Sequence, residues 1–94
     1  MQEITKFQKV FGDSIRIKIL EFYLESGDVG FPIDAVVEDK DIGKSQAYEV
    51  INNMKKENIL LEERRNNQKR FYKLNNKNKV ILELKKLFKN IITN

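Results

Sequence analysis

The chain of 94 residues contains neither cysteine nor histidine, and these two absences exclude several classes of function. Without cysteine the chain can form neither a disulfide nor a thiolate metal site. Without histidine it lacks the commonest general base and the usual zinc ligand. A chain free of cysteine also fits a reducing compartment, so we expect a cytoplasmic protein.

Long apolar runs are missing as well. No stretch approaches the roughly 20 apolar residues that cross a bilayer, and the N-terminus lacks the apolar core of a signal peptide. The sequence contains no recognisable nucleophile–base pair and no glycine-rich phosphate loop. We therefore expect no membrane partner, no cofactor and no enzymatic activity.

A calcium loop is suggested by the spacing of Asp39, Asp41 and Gly43. Such a loop needs a third ligand before the glycine and a glutamate at its twelfth position. The twelfth position counted from Asp39 is Val50, and the third ligand is absent. We expect no metal site.

Charge is present in abundance but is unevenly distributed. Residues 1–43 carry five bases and nine acids, a net charge of −4, whereas residues 44–94 carry thirteen bases and five acids, a net charge of +8. A basic half beside an acidic half indicates a surface for a polyanion, although a solvated surface with chance clustering explains the charge alone equally well.

Apolar spacing and capping residues predict five helices and one hairpin. The first predicted elements are a helix over residues 3–11 ended by Gly12, a helix over 14–26 capped by Asp13 or Ser14, and an extended edge piece over 31–33. A short helix over 34–39 capped by Asp34 and a helix over 44–57 ended by Asn58 come next. The hairpin follows, with a strand from Ile59 to Leu61, a polar tip over 65–69 and a strand from Phe71 to Leu74, and the last helix covers 79–92.

Two short helices joined by a tight turn and followed by a hairpin are the order of a winged helix-turn-helix. In this motif an apolar turn residue precedes a capping residue, here Ile42 and Gly43, and a small residue, here Ala47, lets the helices approach closely. The predicted fold class is mainly α with a small β-hairpin, in a single domain over residues 1–94. The helix-turn-helix covers residues 34–58, the wing 59–74 and the additional helix 79–92.

The run DIGKSQAYEVINNMKKENILLEERRNNQKRFYKL resembles the winged-helix regulators of archaea and bacteria, such as the ArsR-like and MarR-like families. The segment FGDSIRIKILEFYLES is similar to the helix that precedes the motif in the ArsR-like group. The resemblance covers about residues 11–75 and implies a regulator that binds double-stranded DNA. ArsR-like metal sensors hold soft metals through cysteine and histidine, so this chain departs from that activity.

The resemblance also implies roles for individual residues. The recognition helix would enter the major groove, where glutamine and asparagine pair with adenine and lysine reaches guanine or a phosphate. Its outward residues would be Lys44, Ser45, Gln46, Tyr48, Glu49 and Asn52. An ordinary polar helix surface is the alternative.

The predicted wing tip is rich in cations and amides. Arg64, Arg65, Lys69 and Arg70 flank Asn66, Asn67 and Gln68. The amides alone fit turn chemistry, but the four cations would repel one another unless a polyanion lay between them. We therefore expect the wing to contact DNA, while Tyr72 and Leu74 face the core as partners of Leu60.

The last helix carries two neighbouring apolar stripes, one of Val80, Leu84, Leu87 and Ile91 and the other of Ile81, Phe88 and Ile92. This apolar face is wider than packing on a single small domain requires. We expect one stripe to pack inward and the other to form a homodimer with help from the first helix. The predicted interface residues are Phe7, Phe11, Val80, Ile81, Leu84, Leu87, Phe88 and Ile91.

Two other functions fit the same sequence. One is a protein-interaction module on a winged-helix fold, with the acidic N-terminal half as its docking face. The other is a plasmid or viral replication initiator, which would also bind DNA.

Overall fold

The computed structural model describes residues 3–65 and 69–93. In this part of the chain the elements are α1 (Lys6–Phe11), α2 (Ile15–Glu25), α3 (Ile33–Lys40), α4 (Lys44–Lys56), β1 (Leu60–Arg65), β2 (Lys69–Leu74) and α5 (Lys79–Thr93). The two strands form an antiparallel hairpin. The predicted fold class, mainly α with a small β-hairpin, is confirmed. No helix of the described residues is both long enough and apolar enough to cross a membrane.

Local capping signals set most helix ends close to their predicted positions. The Ser14 side chain accepts an N–H of the first turn of α2 at 3.2 Å. Gly12 ends α1 with a φ of 95°, and Asn58 follows α4 with a φ of 63°. The first helix is shorter than predicted and begins at Lys6, because the Thr5 hydroxyl caps it there.

The prediction that Asp34 caps α3 is wrong. The N-cap is Pro32, whose φ of −78° and ψ of 165° are extended, and no side chain caps this helix end. The helix already includes the buried Ile33, so it begins one residue before the predicted start and Asp34 lies in its first turn. Asp34 pairs instead with Lys44 on the surface, at 3.1 Å.

A tight turn connects α3 to α4, as predicted. Asp41 adopts a left-handed conformation with a φ of 53°, and Gly43 is the N-cap of α4. A Cβ added at Gly43 would lie 3.2 Å from the Gln46 side chain. That neighbour is the end of an exposed, flexible side chain and the φ of Gly43 is −68°, so the turn does not depend on glycine at this position.

The hairpin is extended by a third piece of chain. Within the hairpin Leu60 lies opposite Leu74, and Arg64 lies opposite Arg70. Beside β2, Phe31 and Tyr72 exchange two backbone hydrogen bonds, each 2.9 Å long. Proline follows at position 32 and has no N–H to donate, so the ladder ends there. The predicted edge piece is confirmed at Phe31.

The core is built from the inward faces of nearly all these elements. The side chains that are at most 2% exposed include Phe7, Ile19, Tyr23, Val36, Ala47, Ile51, Met54, Leu60, Tyr72, Leu74 and Ile81. The predicted inward positions of Leu60, Tyr72 and Leu74 are confirmed. Val50 lies on the same helix as Ala47, Ile51 and Met54 and is only half-buried.

Helix α5 packs through a different stripe from either one that was predicted. The residues that pack inward are Ile81, Leu84, Phe88 and Ile91. The Phe88 ring meets the Phe7 ring edge-on, with centroids 5.5 Å apart, and this contact sets the rotation of the helix. Val80 and Leu87 of the first predicted stripe face solvent, at 71% and 44% exposure, as does Ile92 of the second.

A buried charged group joins the first three helices and has no counterpart in the sequence-based predictions. The Lys40 ammonium lies 3.3 Å from the Glu21 carboxylate and 3.0 Å from that of Glu25. The Gln8 amide donates to the same Glu21 carboxylate at 2.9 Å. Burial lowers the pKa of Lys40, but the hydrogen bonds and charges of Glu25 and Glu21 outweigh burial, and the pKa is raised. Lys40 therefore stays charged inside the protein.

Replacing Lys40 with methionine should lower the free energy of unfolding by about 3–5 kcal/mol, because Glu21 would be left buried without its cation. Adding Glu21→Gln should recover part of that loss. Lys86→Met is the matched control, since Lys86 and its partner Glu83 are both 74% exposed. The control should change stability by less than about 1 kcal/mol. Urea unfolding measures all three, and equal effects of Lys40→Met and Lys86→Met would contradict this account.

Candidate nucleic-acid interface

Helix α4 presents a polar face to solvent because its opposite face is fixed in the core. Ala47, Ile51 and Met54 are fully buried, and the helix packs on both α2 and α3. The small side chain of Ala47 permits this close packing. The predicted contact residues Lys44, Ser45, Gln46, Tyr48, Glu49 and Asn52 are all exposed. The structure thus brings the six onto the solvent side of one helix.

The first turn of α4 carries an ion pair that the sequence analysis did not include. The hydrogen bond from Lys44 to Asp34 raises the pKa of the Lys44 ammonium. Both side chains are more than half exposed, so the pair is screened by water and salt. Lys44 can therefore leave Asp34 for another anion with little loss of stability.

The wing cations have a counter-charge within the chain. The Glu62 carboxylate lies 2.8 Å from Lys55, 3.6 Å from Arg64 and 3.9 Å from Arg70. The hydrogen bond from Lys55, with the charges of all three cations, holds the pKa of Glu62 below its usual value. The expectation that only a bound polyanion could lie between the wing cations is therefore wrong.

The register places Arg64 opposite Arg70 and Arg65 opposite Lys69 at the end of the hairpin. Arg64, Lys69 and Arg70 are exposed. The predicted contacts Asn66, Asn67 and Gln68, together with the side chain of Arg65, lie outside what the structure describes.

A crevice of about 250 Å³ separates α4 from the wing. It is bounded by residues 32–34 at the start of α3, by Tyr48 of α4, and by Lys69, Arg70 and Tyr72 of β2. Tyr72 is 1% exposed, and its hydroxyl makes no hydrogen bond within the described part of the chain. The alternation of residues predicted that Tyr72 faces inward but gave no sign of its unpaired hydroxyl.

A larger cleft of about 630 Å³ lies on the acidic side of the molecule, between the end of α2 and α3. Phe22 and Phe31 contribute its apolar wall, and Glu25, Glu38 and Asp39 contribute carboxylates. The buried Lys40 pairs with Glu25 and lies 3.8 Å from Asp39, so part of this negative charge is neutralised inside the chain.

The predicted dimer-interface residues fall into two groups. The prediction that Phe7, Ile81 and Phe88 lie in the interface is corrected, because they are buried in the chain's own core, where a partner cannot reach them. Phe11, Val80 and Leu87 are exposed at 40%, 71% and 44%, and Leu84 and Ile91 are half-buried beside them. The Phe11 ring lies 4.8 Å from that of Phe7, which itself packs on Phe88, so the exposed part of α1 borders α5.

Metal-binding geometry is absent from the part of the chain that the structure describes, since no three acidic side chains gather there to hold an ion. Asp39 lies near the Lys40 ammonium, and Asp41 is the left-handed residue of the turn.

Solved structures resemble this one over most of its length. No protein-family model matches the sequence, and no curated protein matches it. A homodimeric winged helix-turn-helix DNA-binding domain from Mycobacterium bovis, described as a possible ArsR-family transcriptional regulator, superposes with a TM-score of 0.63 at 14% identity, covering 94% of this chain and 76% of that one.

Two further structures have the same arrangement. Rv0081 of Mycobacterium tuberculosis gives a TM-score of 0.64 at 18% identity, covering 94% of this chain and 83% of that chain. The iron-containing ferric uptake regulator of Francisella tularensis gives a TM-score of 0.60 at 21% identity, covering 83% of this chain and 60% of that chain. At these identities the likeness concerns the fold, and the chain described here has a winged helix-turn-helix fold.

Proposed function

We propose that this protein is a sequence-specific regulator of transcription that binds double-stranded DNA and is not an enzyme. The observation that carries the proposal is the exposed, amide-bearing face of α4, held on a fixed helix beside a basic hairpin. The winged helix-turn-helix fold supports it, and so does the neighbour from Mycobacterium bovis, which is a DNA-binding domain. The proposed regulator is cytoplasmic and of archaeal, bacterial or viral origin.

In the proposed complex α4 lies in the major groove. Gln46 and Asn52 are exposed on α4 and each can offer a donor and an acceptor to adenine. Lys44 at the first turn can exchange Asp34 for a phosphate, and the half-exposed Tyr48 carries a hydroxyl that can donate to another.

The wing lies on the minor groove or the adjacent backbone. Arg64 and Arg70 lie opposite each other on the hairpin and share the single negative charge of Glu62. Because Glu62 also pairs with Lys55, it neutralises these arginines only in part, and an excess of positive charge remains at the wing. That excess is what a phosphate backbone attracts.

The first test is a salt titration with duplex DNA of random sequence. The wild type should bind with affinity that falls steeply as salt rises, and Arg64→Ala, Lys69→Ala and Arg70→Ala should each reduce the slope by about one unit. Lys86→Ala on α5 is the control and should leave the slope unchanged. Absence of binding at low salt would favour the protein-interaction module, and three unchanged slopes would place the wing away from DNA.

Base reading by α4 is tested separately. Gln46→Ala and Asn52→Ala should each weaken binding to the preferred duplex by about 1–3 kcal/mol and leave binding to random duplex nearly unchanged. Asn90→Ala removes an exposed amide from α5 and serves as the matched control. Fluorescence anisotropy with both duplexes gives the comparison. Equal losses on the two duplexes would mean that these amides contact only the backbone.

The proposed regulator is a homodimer that pairs through α1 and α5. Val80, Leu87 and Phe11 remain exposed after the chain has folded, and Leu84 and Ile91 are covered only in part. A chain of this size buries only a modest share of its surface, so a partner adds needed burial. Two-fold pairing would place the two copies of α4 about 34 Å apart, one turn of DNA.

The interface is tested by charge substitution on two sides of the same helix. Leu87→Glu should convert the dimer into folded monomers, because the charge would be buried at the interface. Leu82→Glu is the control, since Leu82 is equally exposed at 42% but lies roughly 140° around the helix. Sedimentation equilibrium measures both variants. A wild type that is already monomeric at micromolar concentration would contradict the dimer, and dissociation by Leu82→Glu alone would place the interface on the other side of α5.

A further inference from the structure

Among the described residues, the Tyr72 hydroxyl is the buried side-chain polar atom without a hydrogen bond, and the Arg70 side chain beside it partly offsets the rise in its pKa that burial causes. The other deeply buried tyrosine, Tyr23, donates its hydroxyl to the Phe31 carbonyl at 2.9 Å. A buried donor without an acceptor is destabilising, so an acceptor that arrives from outside the chain would remove a cost that folding leaves.

The surroundings of Tyr72 fit an anionic acceptor. Lys69 and Arg70 line the same crevice of about 250 Å³ and supply two positive charges. The start of α3 forms the opposite wall, and no side chain caps that helix end, so the positive end of its dipole faces the crevice. Two acids lie nearby. The charge of Asp34 is countered by Lys44 at 3.1 Å. Glu62, which lies opposite Tyr72 on β1 and raises its pKa, is countered by Lys55 at 2.8 Å and by Arg64 and Arg70.

In the structure the Tyr72 hydroxyl is closed off from solvent, so a phosphate reaches it only if the exposed side chains that line the crevice move. Lys69 and Arg70 are long and exposed, with the Arg70 side chain 52% accessible, so they can move aside and then close on an anion. Phe31 holds the start of α3 to Tyr72 through its two backbone hydrogen bonds, so the walls themselves stay in place. Burial raises the pKa of the Tyr72 hydroxyl, which therefore remains a neutral donor at neutral pH.

We propose that this crevice seats one phosphate of the DNA backbone, with the Tyr72 hydroxyl donating to a phosphate oxygen while Lys69 and Arg70 close over it. The site lies between α4 and the wing, so a phosphate held there would fix the register of α4 in its groove. The inference rests on the proposed function, because it takes the phosphate to be part of a bound duplex.

The test compares two conservative substitutions in the full chain. Tyr72→Phe removes the unpaired hydroxyl, so the melting temperature should stay the same or rise while affinity for duplex DNA falls about tenfold. Tyr23→Phe removes a satisfied hydroxyl, so the melting temperature should fall while DNA affinity stays unchanged. A purely structural role for Tyr72 would give the opposite pattern, a lower melting temperature and unchanged affinity, and would overturn the proposal.

A scan with methylphosphonate linkages identifies the phosphate. A neutral linkage at the seated position should weaken binding by the wild type and should cause little additional loss for Tyr72→Phe. Neutral linkages elsewhere should weaken both proteins equally. Equal sensitivity of both proteins at every position would overturn the proposal.

Three further outcomes are distinguished by the same two proteins. If inorganic phosphate raises the melting temperature of the wild type but not of Tyr72→Phe, while both bind DNA equally, the crevice holds a free phosphate group and the backbone assignment is wrong. If the wild type binds no duplex at all, the proposed function fails, and the phosphate site on DNA fails with it. If Tyr72→Phe binds duplex DNA as tightly as the wild type does, the phosphate site is contradicted and the proposed function is not.

Discussion

The two backbone hydrogen bonds between Phe31 and Tyr72 are the contact on which the side of the molecule formed by α4 and the wing depends. A two-stranded hairpin is only marginally stable in water by itself. Here β2 gains a third neighbour at Phe31, and the hairpin also buries Leu60, Tyr72 and Leu74 in the core. Because Phe31 is followed immediately by Pro32 and α3, the same contact fixes the wing relative to the helix-turn-helix.

A second link joins the wing to α4. Lys55 lies in the last turn of α4 and reaches the Glu62 carboxylate of β1 at 2.8 Å. Glu62 is also close to Arg64 and Arg70, so one carboxylate positions two wing cations and attaches them to the helix. The arrangement limits repulsion in the free protein while leaving an excess of positive charge for a polyanion.

Sequence reasoning succeeded where the determining signal is local. Ser14 caps α2, Gly43 begins α4 and Asn58 follows it, each through its own side chain or its own backbone conformation. The outward face of α4 was equally predictable, since a buried Ala47, Ile51 and Met54 leave the other positions to solvent.

Sequence reasoning failed where the structure depends on contacts between residues that are distant in the sequence. The rotation of α5 brings Phe88 against Phe7 and packs residues of both predicted stripes inward, and the spacing of apolar residues alone cannot reveal that contact. Lys40 and Glu21 are typical surface residues by type, yet both are buried as a pair. The position of Glu62 among the wing cations could have been found, since residues 62 and 64 share a face of the strand and the register places Arg70 opposite Arg64.

The central claim is that α4 reads base sequence in a two-fold complex, and selection of bound molecules from a library of random duplexes tests it most directly. The account predicts enrichment of an inverted repeat whose half-sites are centred about 10 base pairs apart, one turn of DNA. Recovery of bound duplexes without enrichment of any sequence would contradict base reading by α4, and enrichment of a single unrepeated site would contradict the two-fold arrangement.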